Sequence, residues 1–313
     1  MTDVPGRALA VELRGLTKVY GDVCALDGVD LSVPAGSVFG FLGPNGAGKT
    51  TTLRILTGLA RPTAGVARVL GTEVGDATND VRAEIGFLPD VPGFYDWMTA
   101  REFLTFAGSL FGVGGPVLAE RAEALLTLAG LSEVDTRIGG YSRGMRQRLG
   151  VAQALINAPK LLMLDEPTSA LDPFGRKEVL EMIASLAGRT TVLFSTHILA
   201  DVERVCDQVA ILDCGRVVRQ APMAELTRRT GAQQLLVEVT GSIDALAAEF
   251  AAASWASAVA REGALLTLTV SDLDAAGRAV PAAVAAAGAG LVRLEPAEAA
   301  LEDVFVELVG GER

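Results

Sequence analysis

The chain is poor in the residues that build zinc clusters and in long apolar runs. Its three cysteines, Cys24, Cys206 and Cys214, are scattered without a CxxC pair, and it has a single histidine. This combination excludes a Cys/His zinc cluster. One of the longest segments without a charged side chain, residues 103–119, has 17 residues and is interrupted by glycines and a proline. Because a membrane-spanning helix needs ~20 predominantly apolar residues, the sequence predicts a protein that does not span a membrane.

Positive charge is also scarce. The chain has 27 basic and 38 acidic residues, which give a net charge of −11. This balance argues against nonspecific binding of nucleic acid through a broad basic surface. The first residues, Met1-Thr2-Asp3-Val4-Pro5, lack the charged and then apolar segment of a secretory signal, so a cytosolic location is expected. Half of the 313 residues are hydrophobic, which is typical of a folded protein. A chain of this length is expected to form about two domains.

Solid apolar runs separated by helical segments predict a parallel sheet that is covered on both faces. Three such runs lie at Leu161–Leu164, Thr191–Phe194 and Val209–Leu212. Strands that alternate with helices imply right-handed βαβ units. Two further strands are expected at Ala8–Leu13 and Ser37–Leu42, with a turn near Gly21 and Asp22.

Residues 91–158 are predicted to form a helical subdomain. Leucines recur there on helical faces, at Leu104, Leu110, Leu125, Leu128 and Leu149. We therefore divide the chain into an α/β domain over residues 1–225, with a mixed sheet and this helical subdomain, and a second domain over residues 226–313.

The second domain is predicted to be small and of the α+β class. Strand-like and helical segments alternate there in the order β-α-β-β-α-β, which is typical of a ferredoxin-like domain. The strands are expected near 235–239, 256–259, 265–270 and 291–294, and the helices near 243–250 and 275–287. A final helix over about 298–308 carries Leu301, Val304, Phe305 and Leu308 as an apolar stripe.

A glycine-rich segment follows the strand at 37–42 and fits the phosphate-loop pattern G-x-x-x-x-G-K-[ST]. Its residues are Gly43, Pro44, Asn45, Gly46, Ala47, Gly48, Lys49 and Thr50, and Thr51 continues into a helix. Glycines let successive N–H groups converge on phosphate oxygens, and the start of a helix adds partial positive charge. Lys49 is expected to reach the β- and γ-phosphates, and the Thr50 hydroxyl is expected to bind Mg²⁺.

Candidate catalytic side chains follow two of the predicted strands. Asp165 and Glu166 end the run at 161–164, and His197 follows the run at 191–194. The carboxyl ends of strands in α/β sheets are where ligands bind. Asp165 is therefore a candidate Mg²⁺ ligand, Glu166 a candidate base for the attacking water, and His197 a candidate γ-phosphate contact.

The order of these motifs resembles the ATP-binding subunit of an ABC transporter over about Val11–Glu225. Tyr141-Ser142-Arg143-Gly144-Met145 resembles the family's signature segment, residues 165–172 its Walker B strand end and D-loop, and Ser195-Thr196-His197 its switch segment. The resemblance implies that Tyr20 stacks on adenine, and that Ser142, Gly144 and Met145 of one copy close over ATP held by another. It implies ATP and Mg²⁺ as cofactors.

Two departures from the family pattern stand out. Arg143 and Met145 replace the usual glycine and glutamine of the signature, a form that resembles exporters whose permease is a separate ABC-2-type membrane chain. Asp90 occupies the position of the family's lid glutamine, where its carboxylate is expected to bind Mg²⁺ or water.

The resemblance predicts an ATPase motor subunit of a drug, antibiotic or lipid-like exporter, attached to the inner face of the cell membrane through its permease. The partners are then a second copy and the permease. The aromatic segment that contains Phe94, Tyr95 and Trp97 either contacts the permease or packs inside the helical subdomain. Two alternatives stay open at this point: a soluble ABC ATPase acting on DNA or ribosomes, and a nucleotide-binding regulator with little turnover.

Overall fold

The computed structural model of the protein describes residues 8–75, 81–169, 171–226, 233–241 and 243–297 together with Phe305. These residues belong to two compact units, and the chain passes from the first to the second between Met223 and Ala224. The final helix that we predicted over 298–308 lies outside the described residues, apart from Phe305. No helix among the described residues is long and apolar enough to cross a membrane.

The first unit contains two sheets and helices on both sides of the larger one. Its strands are β1 Leu9–Tyr20, β2 Val23–Pro34, β3 Val38–Leu42, β4 Ala64–Val69, β5 Thr72–Glu73, β6 Ile85–Leu88, β7 Leu161–Asp165, β8 Thr191–Thr196, β9 Gln208–Asp213 and β10 Arg216–Pro222. Its helices are α1 Lys49–Leu56, α2 Ala100–Leu110, α3 Gly115–Leu128, α4 Arg143–Ala154, α5 Pro173–Ala184 and α6 Leu199–Val205. A further helix, α7 Met223–Leu226, spans the point in the chain at which the first unit ends and the second begins. Short 3-10 helices cover Val81–Glu84 and Ile138–Gly140.

The larger sheet has the strand order β10-β9-β3-β8-β7-β6. All its strands run parallel except β10, which pairs antiparallel with β9. Every residue of β3, β7 and β8 is buried, as the solid apolar runs predicted for strands covered on both faces. The carboxyl ends of β3, β6, β7 and β8 therefore meet at one edge of the sheet.

The smaller sheet is antiparallel and has the order β2-β1-β4-β5. The predicted turn at Gly21 and Asp22 joins β1 to β2. However, our prediction of a strand at Ala8–Leu13 is too short, because β1 extends to Tyr20. Irregular pairing between Leu13 and Val19 breaks the two-residue alternation that defines a strand in the sequence. A shared apolar core joins residues of this sheet to residues of the parallel sheet and of α1.

The helical subdomain consists of α2, α3 and α4. A capping box starts α2, in which the Thr99 and Glu102 side chains each accept from the other's backbone N–H. Three of the leucines predicted on helical faces are buried, at positions 104, 125 and 149. The other two, Leu110 and Leu128, are exposed. A helical period places a residue on one face of a helix but does not show whether another element covers that face.

The second unit has the predicted element order β-α-β-β-α-β. Its elements are β11 Gln233–Thr240, α8 Ile243–Ala251, β12 Ala256–Glu262, β13 Leu265–Val270, α9 Leu273–Ala286 and β14 Gly290–Ala297. The sheet is antiparallel with the order β12-β13-β11-β14. Its core joins alternate residues of β11 and β13 to side chains of both helices, with Phe250 as its largest member.

Candidate functional site

The predicted phosphate loop connects β3 to α1 at the carboxyl edge of the parallel sheet. Glycine is required at two of its positions. A Cβ on Gly43 would lie 2.3 Å from the Leu212 carbonyl oxygen, and one on Gly48 would lie 2.6 Å from Leu26 Cδ2. Gly48 also has a φ of 110°, which side chains of L residues rarely adopt. The loop is therefore folded tightly against β2 and β9.

Backbone N–H groups at the start of α1 are available to an anion. The Thr52 N–H donates to the Gly48 carbonyl, so the N–H groups of Lys49, Thr50 and Thr51 precede the helical hydrogen-bond ladder. They add to the partial positive charge of the helix start. Pro44 and Thr50 are half-buried and Asn45 and Gly46 exposed, whereas Ala47 is buried.

Lys49 is a nearly buried cation with three hydrogen-bond partners. Its ammonium donates to the carbonyl oxygens of Gly43 at 2.7 Å and Pro44 at 3.1 Å. It also forms an ion pair with Glu166 Oε1 at 3.1 Å, in which both side chains are largely buried. The lysine of the loop is thus joined directly to the candidate catalytic base.

Asp165 lies at the end of β7 beside the loop. Its Oδ1 accepts from the Thr50 hydroxyl at 3.2 Å and from the Ser195 hydroxyl at 2.6 Å. Thr50 and Asp165, two of the three predicted Mg²⁺ ligands, are therefore brought together. Our sequence reasoning gave Ser195 no role. Its position near the end of β8, as the first residue of the candidate switch segment, was the signal that could have identified it.

Glu166 connects Lys49 to the only histidine. Its Oε2 lies 2.9 Å from His197 Nδ1, on an exposed part of the site. Glu166 has a φ of 49°, in the left-handed region. Its N–H donates to both the carbonyl and the hydroxyl oxygen of Ser195, at 3.1 Å each, and these bonds hold the uncommon conformation.

Asp90 lies two residues beyond β6 and is exposed. In the parallel register Leu88 is opposite Leu164, so Asp90 leaves the sheet at the same edge as Glu166. Tyr20 lies at the end of β1 and is half-exposed, with the Lys18 ammonium 4.5 Å from the centre of its ring. Among the described contacts, neither residue bonds to the phosphate loop.

The signature segment forms the start of α4, apart from the phosphate loop in the described contacts. Ser142 is the N-cap, and its hydroxyl accepts from the Met145 N–H at 3.2 Å. A Cβ on Gly144 would lie 3.8 Å from Gly175 Cα, so the signature lies against the start of α5. The preceding Tyr141 is buried, and burial raises the pKa of its phenol.

The aromatic segment before α2 combines internal packing with exposure. Phe94 is half-buried and contacts Phe103 edge to face, with ring centres 5.2 Å apart. Tyr95 contacts Phe106 and Trp97, yet 47% of Tyr95 and 61% of Trp97 remain exposed. Internal packing therefore accounts for Phe94, whereas Tyr95 and Trp97 keep exposed aromatic surface.

A second group of polar side chains was missed in the sequence. Asp201 on α6 is fully buried and bonds to Thr168 and Arg176. Thr168 lies within the D-loop-like segment and Asp201 lies four residues after His197, so their closeness to named motifs was the available signal.

A phosphate loop at the edge of a parallel sheet, with a carboxylate beside its threonine, defines a P-loop nucleoside triphosphatase. A family model described as ABC transporter matches residues 26–169. An uncharacterized ABC transporter ATP-binding protein of Bacillus subtilis is 41% identical over 300 residues, 96% of this chain and 99% of that protein. The daunorubicin/doxorubicin resistance ATP-binding protein of Streptomyces peucetius is 41% identical over 72% of this chain and 69% of its own length.

Solved structures are similar as well. A dimeric ATP-binding cassette in a post-hydrolysis state with ADP and phosphate has a TM-score of 0.62 at 27% identity, and covers 68% of this chain and 98% of its own. The chain belongs to the ATP-binding proteins of ABC transporters. The predicted fold class and the predicted ATPase function are thereby confirmed, whereas the roles of the individual site residues stay predictions.

Proposed function

We propose that the chain is the ATP-hydrolysing motor subunit of an exporter, and that two copies enclose ATP between them and drive a separate ABC-2-type permease. The proposal is supported by the contacts that join Lys49, Thr50, Asp165, Glu166 and His197 at one edge of the sheet. It is also supported by the similarity to the daunorubicin/doxorubicin resistance protein, whose name describes resistance to drugs. The proposed cargo is a drug, an antibiotic or a lipid-like molecule. The permease places the chain on the inner face of the cell membrane.

The loop binds the triphosphate through backbone N–H groups and through Lys49. An ammonium group has three donors, and those of Lys49 already bond to Gly43, Pro44 and Glu166. Binding of a β- or γ-phosphate oxygen by Lys49 therefore requires exchange of a partner. Glu166 is the partner that leaves most readily, because its side chain, unlike the loop carbonyls, can rotate away.

The residues present fit Mg²⁺, which prefers oxygen ligands. The Thr50 hydroxyl and Asp165 Oδ1 lie 3.2 Å apart, and Asp90 leaves the sheet at the same edge. When bound, the ion offsets negative charge on the transferred phosphoryl group. The Ser195 hydroxyl holds Asp165 in place by donating to the same oxygen.

Glu166 and His197 act on the attacking water. The carboxylate of Glu166 orients the water and takes up its proton. The imidazole of His197 contacts the γ-phosphate. Their 2.9 Å contact keeps both groups at the same point of the site. Hydrolysis then depends mainly on positioning and on electrostatic stabilisation.

The second copy completes the site. Ser142, Gly144 and Met145 of one copy close over the phosphates held by the other, with the start of α4 directed at the anion. Tyr20 supplies an aromatic face for the adenine. The dimeric cassette among the solved relatives supports this arrangement, and removal of the γ-phosphate would separate the two copies.

The permease contacts the exposed part of the aromatic segment. Tyr95 and Trp97 provide aromatic surface of the kind that is enriched in protein interfaces. Phe94 packs on Phe103 instead. We expect Trp97→Ala to abolish co-purification with the permease and to leave ATP binding intact. Retained co-purification would argue against this contact.

The test of the proposed function is Glu166→Gln. We expect the variant to bind ATP, to lose ATP hydrolysis by a factor of at least ~10², and to sediment as a dimer with ATP. Lys49→Ala should lose binding and dimerisation together. Lys177→Ala, which changes an exposed lysine on α5, is the matched control and should behave as the wild type. Undiminished hydrolysis in Glu166→Gln would remove Glu166 from the role of base.

A further inference from the structure

A buried carboxylate on α6 has no part in the site as described so far. Asp201 is fully buried, four residues beyond His197. Its Oδ2 accepts from the Thr168 hydroxyl at 2.5 Å, and its Oδ1 accepts from Arg176 Nε at 2.5 Å. Burial of a carboxylate is costly unless it is paired and hydrogen-bonded. Because both oxygens are occupied, the charge is tolerated. Replacement of a whole buried ion pair by apolar side chains is often neutral or stabilising, so stability alone does not explain the pair.

The partners of Asp201 belong to the segment that follows Glu166. Thr168 is buried and lies in a turn in which the Ser169 N–H donates to the Glu166 carbonyl at 3.1 Å. Arg176 lies in the second turn of α5, which begins directly after that segment. Asp201 itself lies in α6, which begins two residues after His197. The carboxylate therefore ties the segment after Glu166 to the helix after His197.

We propose that Asp201 is a positioning residue for hydrolysis, acting through Thr168 and Arg176 to fix Glu166 relative to His197. The inference rests on the proposed function, in which these two side chains act on the attacking water. None of the three positioning residues contacts the phosphate loop in the described contacts. A displacement of reacting groups by about 1 Å can lower a rate by ~10², so loss of this network should lower kcat and leave the binding of ATP largely unchanged.

A pair of substitutions at Thr168 separates hydrogen bonding from packing. Thr168→Val keeps the shape of the side chain and removes the hydroxyl, whereas Thr168→Ser keeps the hydroxyl and removes a methyl group. We expect Thr168→Val to lower kcat by about tenfold or more with KM for ATP within about twofold, and Thr168→Ser to restore most of the kcat. The opposite order, or an equal effect on KM, would show that packing is what matters and would overturn the proposal.

A second pair of substitutions covers the case in which Thr168→Val does not fold. Arg176 is partly exposed, so Arg176→Gln should be tolerated, and it should lower kcat in the same way. The neighbouring Lys177 forms only a 3.8 Å exposed pair with Glu181. Lys177→Gln is therefore the matched control and should leave kcat unchanged. Equal kcat values in the two variants would overturn the proposal.

The route of the effect is tested in a His197→Ala background. If Asp201 acts by fixing Glu166 relative to His197, Thr168→Val should cost less than about twofold in kcat once the histidine is gone, because interacting sites are not additive. A full tenfold loss on top of His197→Ala would overturn the inference and leave the proposed function intact. The proposed function fails in a different way, with kcat undiminished in both Glu166→Gln and His197→Ala.

Discussion

The ion pair between Lys49 and Glu166 makes a quantitative prediction about nucleotide affinity. The two groups are 3.1 Å apart and their side chains are only 6% and 12% exposed. Because the lysine also uses two carbonyl oxygens, a phosphate oxygen must compete with the carboxylate. Removal of the carboxylate charge should therefore strengthen nucleotide binding, while the role proposed for Glu166 predicts that hydrolysis is lost.

The size of this effect follows from the kind of hydrogen bond that is replaced. A bond between charged groups contributes about 1.5–3 kcal/mol, and a bond to a neutral group contributes about 1 kcal/mol. Glu166→Gln thus weakens the competing contact by roughly 1 kcal/mol, which corresponds to about a fivefold lower Kd. Loss of a negative charge near the phosphates acts in the same direction.

The measurement is the Kd of ADP by isothermal titration calorimetry at fixed ionic strength. ADP keeps the β-phosphate that we propose Lys49 binds, and it cannot be hydrolysed by this reaction, so binding is separated from turnover. Glu181→Gln removes the same charge from an exposed position on α5 and should leave Kd unchanged. An unaltered or higher Kd for ADP in Glu166→Gln would refute competition between the carboxylate and the phosphate.

Two further predictions concern the loop and the cysteines. Gly48→Ala should abolish ATP binding in a binding assay, because the added Cβ would clash with the Leu26 side chain and the φ of 110° is unfavourable for alanine. The control variant Gly93→Ala, whose Cβ would have nothing within 4 Å, should bind ATP normally. Equal ATP binding by the two variants would contradict the tight packing of the loop. Cys24 and Cys214 are exposed, whereas Cys206 is half-buried and desolvation raises the pKa of its thiol well above its ordinary value. Mass spectrometry after maleimide treatment at neutral pH should therefore show two labels per folded chain, and rapid labelling of Cys206 would contradict its raised pKa.

The parallel sheet could be predicted because its signal is local. The runs at 161–164, 191–194 and 209–212 are solidly apolar since both faces of those strands are covered. The length of β1 could not be predicted in the same way, because its irregular pairing with β2 disrupts the alternation of apolar and polar residues. Leu110 and Leu128 likewise occupy helical positions whose exposure depends on which elements lie beside them.

The features of the candidate site likewise differ in whether a local sequence pattern predicts them. The types of residue needed to bind a triphosphate and Mg²⁺ are encoded in short motifs, so Lys49, Thr50 and Asp165 could be named from the sequence. The pairing of Lys49 with Glu166 depends on the distance between two different strand ends, which no local pattern contains. The bonds of Asp201 to Thr168 and Arg176 are also long-range, and a single acidic residue within a helical segment is ordinarily a surface residue.

The end of β8 explains how two adjacent carboxylates can have different tasks. The Ser195 hydroxyl donates to Asp165 Oδ1 at 2.6 Å and accepts the N–H of Glu166 at 3.1 Å, and its carbonyl accepts that same N–H. The first bond holds the Asp165 carboxylate at the end of β7, beside Thr50. The other two hold the Glu166 backbone in the left-handed region, a conformation that costs about 1–3 kcal/mol. The chain direction therefore changes between the two acids, so that Asp165 stays with the loop while Glu166 reaches Lys49 and His197. The different contacts of the two neighbouring carboxylates, on which the roles proposed for them are based, thus depend on one serine of the adjacent strand.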